Sequence, residues 1–439
     1  MINPNLKTPV FANLKSSFCY LASNKISNLD IAKDICLENK SLSDVSMSIL
    51  KHTGIFERRY ALPEEAASDL AIKAILNSSL NLNEIEALIV ATTSGDYPSP
   101  ATAHFVHKGL KLNKNVHCLD IASSCTSFIS AIRSSLGFVA TNSNTVVIAT
   151  EVKNKGLLKE DLRTRSLFAD GASGVYIEKN NSKNNSDLFQ FCFQESISSL
   201  SDRIYIPVGG SREPTNINNI HRNKLELNHP KETFFQIVKS ICEAIETSLE
   251  IRQNYIKENF ELDPISTPGL IFIHQANKNI IKEVKSRFHK NIAEKIPILM
   301  GDIGNTVCAS LPVLRTRVLF LKSIFYRNQK IISKQDLIPY FIQLCKENNE
   351  FCFILKENGI LFSCYWQNEK IDIFDDGCDK LENSWLEKIS DDEFNQIQIA
   401  FQNENLSCQN KSVRLKYIDI WIAAGGGFQT LAMLHGKIY

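Results

Sequence analysis

Three positions along the chain carry side chains that could take part in covalent chemistry. Cys125 closes the run H-C-L-D-I-A-S-S-C and opens a stretch in which Phe128, Ile129, Ala131, Ile132 and Leu136 recur at helical spacing. A cysteine at such a strand-to-helix step meets unpaired backbone N–H groups and the positive end of a helix, which favours the thiolate. His274 ends the apolar run I-F-I-H-Q-A-N, and Asn305 lies in G-N-T-V-C-A-S-L-P, each again between a strand-like and a helix-like segment. Gly425, Gly426 and Gly427 form a run that permits close backbone approach to a ligand. Taken singly, each feature has a plain structural reading: a core cysteine such as Cys118, a satisfied polar histidine, a turn asparagine, a tight glycine turn. Together they offer a sulfur nucleophile, two polar side chains and exposed backbone N–H groups, the components of thioester chemistry.

The elements that must position these residues alternate in type. Residues 87–93, 116–122 and 145–150 read as buried strands, with a helix between the last two. The second half repeats the rhythm, with a strand at 269–273, a helix at about 278–288, a short strand at 296–300 and a helix starting near Pro312. Strand, helix, strand in this order implies parallel pairing and a layered α/β fold. Two stretches break the pattern. Residues 179–187 (K-N-N-S-K-N-N-S-D) read as a polar loop between halves. From about 330 to 406 the chain holds a hairpin expected at 351–373, turning at Glu357-Asn358-Gly359, and ten acidic residues against three lysines over 366–400. The main pattern resumes at 419–428.

Bulk properties narrow the function classes. With 439 residues, 44% hydrophobic and 22% charged, the chain suits a globular enzyme with two cores or one large layered one. A formal net charge of +1 gives no electrostatic case for a nucleic-acid or membrane protein. No run of 18 apolar residues occurs, so no membrane span is expected, and the first 20 residues lack a signal-peptide core, which predicts a cytoplasmic protein. The twelve cysteines are scattered from Cys19 to Cys408 without a C-x-x-C. Five lie between Cys345 and Cys408, but no histidine stands between His289 and His435, so neither a disulfide framework nor a metal site is expected.

The order and wording of seven segments resemble the thiolase-fold condensing enzymes, most closely the beta-ketoacyl-acyl-carrier-protein synthase III family. They are T-G-I-F-E-R-R (53–59), T-T-S-G-D-Y-P-S-P-A (92–101), the Cys125 segment, L-F-A-D-G-A-S-G (167–174), H-Q-A-N, G-N-T and G-G-G-F. The resemblance covers about residues 1–325 and 412–439. It implies a five-layer α-β-α-β-α sandwich of two similar halves. Residues 1–190 would form the half with the nucleophile, residues 191–328 plus 411–439 the half with the histidine and asparagine, and residues 329–410 an inserted subdomain. It also implies a Cys125, His274, Asn305 triad and an oxyanion hole formed by the N–H groups of Cys125 and Gly426. Decarboxylative condensation of an acyl-cysteine with a malonyl-type thioester would follow, in a fatty-acid-like or secondary-metabolite pathway. No tightly bound cofactor or metal is implied. Acyl-coenzyme A or acyl carrier protein thioesters would be the substrates, and a homodimer the assembly. Asn277, Arg58 and Phe168 are the expected substrate contacts.

The chain departs from the family at several points. Thr126 and Ser127 follow the nucleophile where a small residue and glycine are usual. Ser48 replaces a tryptophan on which coenzyme A can stack, Asn279 replaces an arginine facing the carrier protein, and Leu431 replaces the last glycine of G-G-G-x-x-x-G. The insertion is expected to decorate the surface or to act as a lid. The lysines Lys278, Lys282 and Lys285, with Arg287, form the candidate carrier face. Two rival readings remain beside condensation: acyl transfer from Cys125 to a hydroxyl or amine, and a non-catalytic partner subunit.

Overall fold

The computed structural model describes residues 9–35, 41–78, 80–179, 186–260, 269–327, 352–355, 361–364, 415–425 and 429–438. Among them, nine strands form one large sheet: β1 (Val10–Leu21), β2 (Ala87–Ala91), β3 (His117–Ile121), β4 (Thr145–Glu151), β5 (Gly171–Lys179), β6 (Asp187–Ser196), β7 (Ile271–Ile273), β8 (Leu415–Gly425) and β9 (Gln429–Ile438). Six helices pack on it: α1 (Ala67–Leu76), α2 (Thr102–Leu110), α3 (Ser127–Ala140), α4 (Pro230–Phe260), α5 (Lys278–Ser286) and α6 (Ser310–Arg327). The strand order is β7-β8-β9-β6-β1-β5-β4-β2-β3.

That order repeats about its middle. Outward on one side run β1, β5, β4, β2; on the other run β6, β9, β8, β7. On both sides the two innermost pairings are antiparallel and the next is parallel. The two copies join where β1 and β6 pair antiparallel, Val10 opposite Phe189. The expected boundary between residues 190 and 191 therefore falls inside β6, because the polar loop ends before Asp187 and the strand begins there.

Alternation along the strands sets the layers, since neighbouring side chains leave opposite faces of a sheet. Ile89, Val147, Phe272 and Trp421 join α3 and α6 in a single inner core. Their neighbours Leu88, Val90, Val146 and Ile148 face outward onto α1 and α2. Ile271, Ile273, Ile420 and Ile422 face outward onto α4 and α5. The two halves of the sheet enclose α3 and α6, with α1 and α2 outside one half and α4 and α5 outside the other, so helix, half-sheet, helix, half-sheet, helix follow in turn. Phe128 of α3 stacks on Trp421 of β8 across the inner core, with ring centroids 6.3 Å apart.

The short strand expected at 296–300 does not form a ladder. Pro297 has no N–H to donate in the middle of the segment, and the Gln275 side chain takes over the pairing. Its Oε1 accepts the Leu299 N–H at 3.1 Å, while its amide donates to the carbonyl of Ile273. The expected hairpin appears as an antiparallel pair, Cys352–Leu355 with Leu361–Cys364, and its turn lies outside the described residues. So does most of residues 329–410, including the acidic stretch.

A buried ion network ties the T-G-I-F-E-R-R segment to the loop before Asn305. Nη1 and Nη2 of Arg317 donate to the Asp302 carboxylate at 2.9 Å, and Arg59 Nε donates to the Asp302 carbonyl at 3.3 Å. Glu57 lies 3.4 Å from the Arg59 guanidinium. Replacing Asp302 with alanine leaves two buried guanidinium groups short of a counter-charge, and should cost about 3–5 kcal/mol of stability. Denaturant titration of the variant measures this, and a loss below about 1 kcal/mol would contradict the network's structural role.

Candidate active site

Cys125 stands in a single 3-10 turn, Ser124–Thr126, between β3 and α3. Ser124 adopts the left-handed region at φ +55°, which a serine enters only when its surroundings impose it. The hydroxyls that replace the usual small residue and glycine hold this turn. Ser127 Oγ accepts the Ser123 N–H at 2.8 Å and donates to the Ser124 carbonyl at 2.7 Å. Thr126, wholly buried, places its hydroxyl 2.6 Å from the Ser123 carbonyl and 2.7 Å from Gln429 Oε1. The departures at 126 and 127 therefore fasten the nucleophile turn to itself and to β9.

Backbone comes very close on the other side of the sulfur. A Cβ placed on Gly425 would lie 2.6 Å from Cys125 Sγ, so this position tolerates only glycine while the thiol stays where it is. Gly426 and Gly427 lie outside the described residues. Two other cysteines near the site are unsuited to attack. Burial, reinforced by Asp120, raises the Cys118 thiol above its ordinary range. Burial, with Glu151 beside it, holds Cys308 well above that range; its S–H donates to Glu151 Oε1 at 3.0 Å.

His274 follows β7 and is 3% exposed. Its backbone N–H donates to the Ile422 carbonyl at 2.9 Å. Its Nδ1 is bonded to Ser310 Oγ, and its Nε2 has no protein partner among the described residues. Burial alone pushes its pKa down to about 4, so the ring is neutral at physiological pH. Asn305 is fixed through its backbone: its N–H donates to the Leu167 carbonyl at 2.8 Å, and its own carbonyl accepts the Ala169 N–H at 2.9 Å. Its Oδ1 accepts the Val307 N–H at 2.8 Å, which orients the amide and leaves Nδ2 without a protein partner among the described residues. The preceding Gly304 lies at φ +86°, and a Cβ there would come within 2.8 Å of the Ala169 Cβ. The L-F-A-D-G segment is thus the rail on which Asn305 sits. Asp170 anchors that rail by accepting the N–H groups of Ala61 and Lys153 at 2.8 and 2.6 Å.

Cys125, His274, Asn305 and Gly425 share one cavity of about 410 Å³. Phe168 and Asn277, the residues expected to contact substrate, also line it. Asn277 Oδ1 doubles as the N-cap of α5 by accepting the Asn279 N–H at 2.8 Å. Arg58 does not line the cavity. It lies wholly buried in the short strand Glu57–Tyr60 and donates to Asn28 Oδ1 at 2.6 Å and to the Ser166 carbonyl at 3.2 Å. Burial lowers its guanidinium to about 10. The substrate role expected from the resemblance gives way to a structural one. The far wall is apolar, built from Ile204, Leu225, Leu227, Phe234 and Ile237, none of which the sequence singled out. Lys153 and Ser310 were also missed: each follows a strand or opens a helix in a way that solvated lysines and capping serines commonly do.

Of the candidate carrier face, Lys282 is exposed, Lys285 Nζ donates to the Ile296 carbonyl at 2.9 Å, and Arg287 pairs with Glu283 at 2.9 Å. Asn279 donates to the His52 carbonyl at 2.8 Å. Among the described residues no group of three or more metal-ligating side chains occurs, and no helix is long and apolar enough to cross a membrane.

Solved structures share this architecture, and the likeness shows that the protein has the thiolase-like fold. The 3-oxoacyl-(acyl-carrier protein) synthase of Burkholderia xenovorans LB400 superposes with a TM-score of 0.62 over 98% of this chain and 95% of its own, at 16% identity. The 3-oxoacyl-[acyl-carrier-protein] synthase III of Aquifex aeolicus VF5 gives 0.59 over 97% and 99%, at 20% identity. The chain belongs to the beta-ketoacyl-[acyl-carrier-protein] synthase III family. It is 31% identical over 314 residues to that synthase from Aliarcobacter butzleri, covering 69% of this chain and 88% of the relative. The sequence model of 3-oxoacyl-[acyl-carrier-protein (ACP)] synthase III matches residues 119–196. A 3-oxopimeloyl-[acyl-carrier-protein] synthase from Rhodothermus marinus is 29% identical over 272 residues, 60% of this chain and 75% of that one.

The depressed pKa of His274 fixes a pH dependence. Its folded value of about 4 lies below the ordinary value of 6.5, so the unfolded chain binds the extra proton first as pH falls. The stability it contributes is complete above pH 6.5 and is lost progressively toward pH 4. Between pH 7 and 5 this amounts to roughly 2 kcal/mol. A His274→Gln variant should show a correspondingly shallower loss of unfolding free energy over that interval; an identical pH slope in both proteins would refute the assignment.

Proposed function

We propose that the protein catalyses decarboxylative condensation of an acyl thioester with a malonyl-type thioester, through an acyl group carried on Cys125. The observation that carries this reading is the pairing of two neutral donors with the sulfur in one cavity. Among the described residues, Nε2 of the uncharged His274 and Nδ2 of Asn305 both lack protein partners, and both residues border the space in front of Cys125.

In the first half-reaction the Cys125 sulfur bonds to the acyl carbonyl carbon and the bond to the carrier sulfur breaks. The proton given up by the Cys125 thiol leaves with the carrier thiol. The transient oxyanion is held by the Cys125 N–H and, in this reading, that of Gly426. In the second, His274 and Asn305 donate to the thioester carbonyl of the malonyl-type substrate. The bond to the carboxyl group breaks, carbon dioxide leaves, and the electron pair becomes an enolate stabilised by the two donors. The enolate carbon attacks the acyl-Cys125 carbonyl, expels the cysteine sulfur and yields a β-ketoacyl thioester. Neutral donors suit an oxyanion that develops in a dry site.

The same reading assigns the cavity's apolar wall to the thioester arm or acyl chain, with Phe168 and Asn277 as contacts. Coenzyme A or acyl carrier protein would deliver the thioesters, the latter docking on the α5 face around Lys282. Residues 1–190 and 191–328 plus 411–439 would act as the two halves, with 329–410 inserted, in a homodimer. The relatives named for synthase III and for 3-oxopimeloyl synthase support a fatty-acid-like pathway.

Cys125→Ala should abolish uptake of label from a radioactive acyl thioester, whereas Cys118→Ala should keep it; labelling of the Cys125 variant would defeat the central assignment. His274→Ala and Asn305→Ala should each raise the condensation barrier by about 2–4 kcal/mol, or 10²–10³-fold in rate. Single-turnover acylation of Cys125 should suffer much less in both. Equal losses in the two half-reactions would show that the division of roles is wrong.

A further inference from the structure

We infer that Ser310 is a positioning residue: by donating its hydroxyl proton to Nδ1 it holds His274 as the Nε2–H tautomer, with that proton facing the cavity. The inference rests on the reading of His274 as a donor to a thioester carbonyl and specifies what makes it one.

A serine hydroxyl has one proton and two lone pairs. Ser310 opens α6 and is 3% exposed, so water does not compensate for an unmet partner. One lone pair takes the Gln275 backbone N–H at 3.1 Å. The other partner of Oγ among the described residues is His274 Nδ1. If the imidazole were the donor in that bond, the hydroxyl proton would be buried without an acceptor. Nε2 would then present a lone pair to the cavity and repel a substrate carbonyl oxygen. If Ser310 donates, every polar group in the set is satisfied except Nε2–H, which is left for a ligand. Avoiding a buried unsatisfied hydroxyl biases the two tautomers roughly tenfold or more.

Adjacency to Gln275 strengthens the device. The Gln275 side chain is itself locked between the carbonyl of Ile273 and the N–H of Leu299. The peptide that donates to Ser310 is therefore held by the same residue that closes the gap beside β7. Serine, glutamine and histidine form one chain of bonds running from the start of α6 to the ring nitrogen. Hydroxyl placement and ring orientation are set together.

The test uses the full-length protein with ¹⁵N-labelled histidine. Imidazole nitrogen shifts distinguish the two neutral tautomers directly, and a His274→Asn variant identifies the His274 signals among the nine histidines. The resting enzyme at pH 7 is expected to show a protonated Nε2 and an unprotonated Nδ1. Ser310→Ala is expected to shift the ring toward a tautomer mixture and to slow condensation on the order of 10- to 100-fold, with Cys125 acylation within about twofold of wild type. Ser310→Thr, which keeps the hydroxyl, should restore both. A wild-type ring protonated on Nδ1 overturns the proposal whether or not any variant folds, and so does an unchanged tautomer in a folded Ser310→Ala protein. The tautomer measurement needs no substrate. Absence of condensation by wild type would strike the functional reading alone.

Discussion

Two backbone hydrogen bonds hold the site together: Asn305 N–H to the Leu167 carbonyl, and Ala169 N–H to the Asn305 carbonyl. They splice the loop that carries the asparagine onto a segment well over a hundred residues earlier in the chain. Gly304 makes the splice possible, because a side chain there would collide with Ala169. Asp170 braces one side through the N–H groups of Ala61 and Lys153, and the Asp302–Arg317–Arg59 network braces the other. Main-chain bonds set this geometry more rigidly than side-chain contacts would, since they leave no rotamers to average over. The placement of Asn305 against Cys125 is consequently a property of the fold.

A second physical theme is desolvation without charge. The cavity wall is apolar, and burial drives His274 to its neutral form. A charged ring there would attract an anion already in the ground state. A neutral donor gains most as negative charge develops on the oxygen, which is where a condensing enzyme needs help. The same burial holds the thiols of Cys118 and Cys308 above their ordinary range.

The departures from the family pattern acquire local explanations. Thr126 and Ser127 rebuild with hydroxyls a turn that other members build around glycine. Leu431 lies in β9 and packs into the inner core, where a glycine would leave space unfilled. Asn279 secures the end of the Leu42–Thr53 helix through the His52 carbonyl and thereby occupies the place of a carrier-facing arginine. Ser48 is exposed on that same helix.

The sequence by itself determined the elements and the reactive residue types. Strands at 87–91 and 145–151 were legible because buried parallel strands are short apolar runs, and α3 because its apolar residues recur at helical spacing; the run expected to be buried at 116–122 forms instead the half-exposed edge strand 117–121. Cys125, His274 and Asn305 were legible because motifs in order carry more information than any one of them. Only the tertiary structure decided the roles of residues whose meaning depends on what faces them. Arg58 was a substrate contact by resemblance, yet its partners, Asn28 and the Ser166 carbonyl, lie 30 and 108 positions away. The run at 296–300 had strand-like composition, but Pro297 lacked the one donor the ladder required. Ser310 looked like any serine opening a helix until the fold placed His274 Nδ1 against its hydroxyl. Periodicity records which side of an element is buried; it does not record which distant atom waits there, and hydrogen-bond satisfaction and charge state depend on that atom.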